Sequence, residues 1–181
     1  MSPKFFLVST CAICALVSVM TGSSWTTIAT IGMAFLGIGD ALSVPNYWTA
    51  GAIISGAYFG DKISPLSDTT VLASSSAGVD LFSHIRYMLY TTTPSMVITL
   101  AIFFIAGFWF DGASVPNVSL YTDGLKSVFN ISLWTLLVPL ITAIMIYKKI
   151  PSLITLFVSA LVAGFMAVLM QSETLLEVSG V

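Results

Sequence analysis

The sequence predicts an all-α polytopic membrane protein, and three observations carry that expectation. Hydrophobic residues make up 57% of the 181-residue chain and charged residues 8%, whereas a soluble domain carries about a quarter charged residues. Mean hydropathy is +1.00, so most of the surface needs lipid rather than water as its solvent. Apolar runs recur along the whole chain, divided by short stretches rich in Gly, Pro, Ser, Thr and Asp. The formal net charge of −2 comes with no basic or acidic block, so nothing points to nucleic acid as a partner. No P-loop, HExxH, GxSxG or GxGxxG occurs, which leaves an enzyme or an ATP-driven pump without support.

Residues 5–20 are apolar, TGSSWTT interrupts at 21–27, and apolar sequence resumes to residue 38. This pattern predicts a helical hairpin over 5–38, either two crossings or a re-entrant loop with its tip at TGSSWTT. Lys4 followed by residues 5–20 imitates a secretory signal, but more hydrophobic segments follow instead of a cleavage site and soluble sequence. Cys11 and Cys14 stand i,i+3. They read either as a redox or metal pair or as two small residues on one helix face, and no further Cys exists to complete a zinc site.

GDALSVPN (39–46) reads as a loop, with Asp40 either a solvated acid or a group at an ion entry. Residues 48–59 are apolar but too short to cross, because a spanning helix needs about 20 residues. GDKISPLSDTT breaks the run at 60–70, and small and apolar residues resume at 71–79. A discontinuous helix over 48–79 follows. Irregular backbone at membrane depth survives only where protein or a water-filled cavity satisfies it, and transporters place their sites at such breaks. Ala52, Gly56 and Gly60 recur every four residues, giving a smooth face for close helix packing.

VDLFSHIR (79–86) reads as a short interfacial helix, with His84 and Arg86 marking the membrane surface. Ordinary transmembrane helices are expected at 87–109, with a kink at Pro94, and at 131–147 and 150–170. Lys148-Lys149 argues for a cytoplasmic turn between the last two. Traced backwards, the 111–130 loop and the start of the chain fall outside, which suggests that further helices precede residue 1. Asp111, Asp123, Glu173 and Glu177 fall in the expected loop and tail. The whole chain, 1–181, reads as a single transmembrane domain.

The densest polar cluster is 60–70, where two carboxylates, one ammonium and four hydroxyls occur in eleven residues. Unwound carbonyls with Asp, Ser and Thr oxygens suit Na⁺. A carboxylate in low dielectric resists ionisation, so it can trade a proton for a metal cation. The plain alternative is a polar surface loop, against which stands the shortness of both flanks. Lys62 is either a counter-charge to Asp61 or Asp68 or a group that snorkels to the headgroups. TGSSWTT offers a second set of hydroxyls at a Gly-loosened tip, or else a surface turn anchored by Trp25.

Residues 56–94, GAYFGDKISPLSDTTVLASSSAGVDLFSHIRYMLYTTTP, closely resemble the signature stretch of the NhaC-type Na⁺/H⁺ antiporters. GSSWTT with TIGMAFLGIG, 22–39, resembles the same family's upstream segment. The resemblance implies a secondary transporter of the ion transporter superfamily in the bacterial inner membrane, built from inverted repeats and without a bound cofactor. It would exchange Na⁺ for H⁺ by alternating access, or else carry organic anions as malate/lactate antiporters of the same family do. Family-like positions are Ser23, Ser24, Thr26 and Thr27 in the first motif, and Asp61, Ser64, Ser67, Asp68, Thr69 and Thr70 in the second. Of the two acids Asp68 is favoured for its surrounding hydroxyls, with Na⁺ held transiently at Asp68, Ser67 and Thr69. Val71 stands where family sequences often carry Asn. Family members are more than twice this length, so the chain resembles the middle of one. It reads as a fragment, a half that assembles with the missing remainder or with another copy, or an inactive truncated product.

Overall fold

The computed structural model describes residues 3–110 and 132–172, and all regular structure among them is helical. Among the described residues three helices are long and apolar enough to cross a bilayer, within Lys4–Thr21, Leu81–Gly107 and Ser152–Met170. The fold is therefore that of an all-α membrane protein. Residues 1–116 and 117–181 form two compact units. The expected loop at 111–130 and the acids Asp111, Asp123, Glu173 and Glu177 lie outside the described residues.

In the first unit, α1 (Pro3–Thr21) stops where Gly22 takes a left-handed φ of +68°. Its N–H bonds to Ser18 O at 2.8 Å, the usual way a glycine closes a helix. The chain then reverses into a second arm made of α2 (Ser24–Thr27), a π-helical turn (Ile28–Gly32) and α3 (Met33–Ala41). This arm runs back along α1, since Gly39 meets the Phe6 ring. The helix outlasts the expected start of the loop: Gly39–Ala41 are still helical, and the connection is only 42–45. Packing explains it, because a Cβ on Gly39 would come 2.6 Å from Thr49 Oγ1. That glycine serves close approach, not a turn.

α4 (Asn46–Ile63) lies parallel to α1. Gly56 touches the Cys11 carbonyl, Gly60 touches the Ala15 carbonyl, and Ser64 Oγ donates to Val19 O at 2.6 Å. Side-chain-free positions let the two backbones meet, as small residues do in membrane helix pairs. Cys11 and Cys14 are fully buried in the core beside this seam, with Phe6, Leu7, Ile53 and Phe103.

Pro65 ends α4. A residue before proline is pushed out of the helical region, and Ser64 is extended at φ −76°, ψ 129°. The helix restarts as α5 (Asp68–Ala77) after Ser67, which is again extended. Hence the 48–79 segment is two helices separated by a four-residue break, 64–67.

α6 (Leu81–Gly107) is one helix of 27 residues, about 40 Å long at 1.5 Å per residue. Separate pieces at 79–86 and 87–109 were expected. Asp80 instead caps a single helix, its Oδ2 accepting from Ser83 N at 2.9 Å, and no Gly or Pro occurs in 81–93 to break it. Pro94 lies inside the helix. α6 runs antiparallel to α1 and α4, with Gly107 against the Lys4 carbonyl and Phe103 against Trp48. Its first ten residues, 81–90, extend past the level where Thr91 and Thr92 face Lys62. That overhang is about 15 Å, so the break at 64–67 falls well within the length of α6.

In the second unit a 3₁₀ turn (Leu133–Leu136) leads into α7 (Leu137–Tyr147), and α8 (Ser152–Met170) follows. Lys149 takes φ +55° in the tight turn between them. One hydroxyl pair, Thr142 and Ser159 at 2.8 Å, joins the two helices.

Candidate functional site

The two polar segments singled out by sequence meet. Gly22 sits on the backbone of Leu66, so close that a Cβ there would lie 2.6 Å from the Leu66 carbonyl carbon. The tip of the hairpin thus rests on the break between α4 and α5. Glycine is required at 22 twice over, for its φ and for this contact.

Side chains tie the two segments together. Ser24 Oγ donates to Asp61 Oδ2 at 2.9 Å. Ser18 Oγ donates to Ala57 O at 2.6 Å, and Ser64 Oγ to Val19 O at 2.6 Å. Thr70 Oγ1 donates back across the break to the carbonyls of Lys62 at 3.3 Å and Asp61 at 3.4 Å. These are carbonyls that the interrupted helix leaves without an i+4 N–H. Ser64 Oγ also accepts from Leu66 N at 3.1 Å. Hydroxyls therefore replace the backbone bonds that the break removes, as burial demands.

One group at the crossing is not satisfied. Asp61 Oδ1 is buried and has no hydrogen-bond donor among the described residues. A buried acceptor without a partner costs about 1–3 kcal/mol, more when charged. A proton on the carboxyl removes the charge, and a cation against Oδ1 supplies the missing partner. Ser18, Ser24, Thr27, Ser64, Ser67 and Thr70 are all buried around the crossing. Among the described residues no three His, Cys, Asp or Glu side chains converge, so the donors are hydroxyls, carbonyls and one carboxylate. Such hard oxygen donors suit Na⁺ better than a transition metal.

The other expected residues divide clearly. Ser23 is extended and caps α2, its Oγ accepting from Thr26 N at 3.3 Å and from Thr26 Oγ1 at 3.1 Å. Thr27 Oγ1 donates to Ser23 O at 2.9 Å and lies 3.3 Å from Thr21 Oγ1. Ser67 and Thr69 pair at 2.8 Å. Asp68 is exposed, its Oδ1 accepting from Thr69 N at 2.8 Å, and it stands on the outer side of α5 with Thr69, Leu72 and Ser75. The structure thus brings Ser24 and Asp61 into contact and leaves Asp68, Thr26 and Thr69 exposed. Ser18 was not singled out. Ser18 continues the small-residue series Cys11, Ala15, Ser18, at i, i+4 and i+7 on the face of α1 that meets α4, and that spacing could have pointed to it.

The profile described as "Na+/H+ antiporter family" matches residues 1–87 and 56–179. The chain belongs to the Na⁺/H⁺ antiporter family. It is 44% identical over 172 residues to the Na⁺/H⁺ antiporter NhaC of Alkalihalophilus pseudofirmus, covering 95% of this chain and 37% of that protein. It is 42% identical over 171 residues to the malate-2H⁺/Na⁺-lactate antiporter of Bacillus subtilis, covering 93% of this chain and 36% of the relative. A third relative, the NhaC of Bacillus subtilis, is 41% identical over 150 residues, covering 82% of this chain and 33% of that protein. The chain thus spans about a third of the length of these curated relatives. No solved structure gives a significant match. Family membership, with three helices among the described residues long and apolar enough to cross a bilayer, makes this a multi-pass membrane protein, and its bacterial relatives place it in the bacterial inner membrane.

Proposed function

We propose that the protein acts in Na⁺/H⁺ antiport, with Asp61 as the group that carries H⁺ or Na⁺ in turn and with no enzymatic step. The observation that carries this reading is the orphaned Asp61 Oδ1 at the crossing of two helix breaks. With Oδ2 already taken by Ser24, the free oxygen accepts either a proton or a sodium ion, and the two exclude each other. Mutual exclusion at one carboxylate is the minimum an exchanger needs. Alternating access would expose this site to each side in turn, the unwound 64–67 segment serving as the place where the helices adjust. We read the chain as contributing one broken-helix half of that site, and the relatives' greater length as supplying the opposing repeat.

Everted vesicles carrying this chain as part of a full-length antiporter provide the test, read as Na⁺-dependent collapse of an imposed pH gradient. Asp61→Asn removes the response, while Asp68→Asn keeps it. Loss in Asp68→Asn with retention in Asp61→Asn would move the carrier role to the exposed acid. A second reading, exchange of an organic anion coupled to Na⁺ and H⁺, is favoured by the relative whose name gives malate and lactate as substrates.

A further inference from the structure

Asp61 and Lys62 are neighbours in sequence and point to different partners. Asp61 turns to the hairpin, through Ser24. Lys62 lines a groove of about 450 Å³ between α4 and α6, a volume within the roughly 300–1,000 Å³ of small-molecule sites. Ser55, Tyr58 and Lys62 of α4 face Thr92, Ser95 and Thr99 of α6 across it. Ser55, Tyr58 and Lys62 recur at i, i+3 and i+7, and Thr92, Ser95 and Thr99 follow the same interval, so each helix turns one polar stripe toward the other.

The charge in this groove is of one sign. Among the described residues no carboxylate lines it, and Lys62 is the one fully charged side chain there. Thr92 Oγ1 donates to Met88 O at 2.8 Å and Thr99 Oγ1 to Ser95 O at 2.9 Å. With their protons spent on the helix backbone, these hydroxyls offer lone pairs to a donor on the ligand. The lining therefore suits a ligand with an anionic end for Lys62 and a hydroxyl that donates to a threonine oxygen. A cation would meet an ammonium here, and a purely apolar guest would strand the hydroxyls.

We propose that the α4–α6 groove binds a small hydroxycarboxylate, its carboxylate on Lys62 and its hydroxyl donating to Thr92. This rests on the organic-anion reading and supplies the place for it. A sodium ion on Asp61 and a carboxylate on Lys62 would then occupy two sides of the same helix end, immediately before the 64–67 break, so that one movement of that end would carry both.

The test is thermal unfolding of the purified protein in detergent, at fixed Na⁺ and ionic strength, with sodium lactate or sodium malate set against sodium chloride. Either carboxylate raises the midpoint of the unmodified protein. Lys62→Gln weakens apparent affinity by about tenfold or more, the worth of one hydrogen bond to a charged group, and Lys62→Arg retains it. The shift that Na⁺ gives over choline remains in Lys62→Gln, which shows that this variant is folded. A carboxylate shift that survives unchanged in Lys62→Gln overturns the groove assignment while leaving organic-anion exchange standing. No carboxylate shift in the unmodified protein, beside an intact Na⁺ shift, overturns both.

Discussion

On the side of α4 that faces α1, Gly56 and Gly60 press against the carbonyls of Cys11 and Ala15, and Ser64 bonds to Val19 O. On the side that faces α6, Ser55, Tyr58 and Lys62 stand across an open groove from Thr92, Ser95 and Thr99. The first face has no room for a methyl group; the second has room for a ligand. One helix thus holds a tight seam and an open polar face, and both lead to the break at 64–67. The tight seam fixes where Asp61 stands. The open face leaves the end of α4 free to change its surroundings.

Substitutions that fill the seam should have the largest structural effect. Gly56→Ala places a Cβ on the Cys11 backbone, and overpacking of this kind costs about 1–3 kcal/mol. A urea or thermal unfolding series would read it. Gly37 is the control, since nothing lies within 4 Å of a Cβ there. Gly37→Ala should stabilise α3 by about 0.5–1 kcal/mol through helix propensity. If both glycines tolerate alanine equally, the seam is not as tight as described.

Next come the hydroxyls that bridge the break. Ser64→Ala removes the bonds to Val19 O and from Leu66 N and leaves the buried Leu66 N–H without that acceptor, at a cost of about 1–3 kcal/mol. Thr10 and Thr49 invert the sign: their Oγ1 atoms are buried without a partner. Thr10→Val should therefore be neutral or stabilising by up to about 1 kcal/mol, measured in the same unfolding series. Destabilisation by Thr10→Val would show that its hydroxyl is engaged. The smallest effect is expected at the exposed Asp68, where Asp68→Asn should stay within about 0.5 kcal/mol of the parent in stability.

Much of this arrangement was legible in the sequence. Pro65 and Gly22 announce the two breaks, and the Ala52, Gly56, Gly60 spacing announces the seam. Lys62 next to Asp61, however, reads in sequence as a reason to doubt that acid, and the hydroxyls around Asp68 as a reason to favour it. Whether neighbours in sequence share a face depends on the helix they occupy. Lys62 is the last basic residue of α4 and turns to α6, while Asp61 turns to Ser24. Likewise 79–109 reads as two elements because its polarity changes near Arg86. Helix continuity depends on capping and backbone breakers, and the change in polarity supplies neither.

Infrared difference spectroscopy of the reconstituted protein tests the central account most directly. Adding Na⁺ at a pH where Asp61 is protonated should remove one protonated-carboxyl band, and that loss should be missing in Asp61→Asn and present in Asp68→Asn. A Na⁺-induced loss that persists in Asp61→Asn, or disappears in Asp68→Asn, would contradict a proton-for-sodium exchange at the crossing of the two breaks.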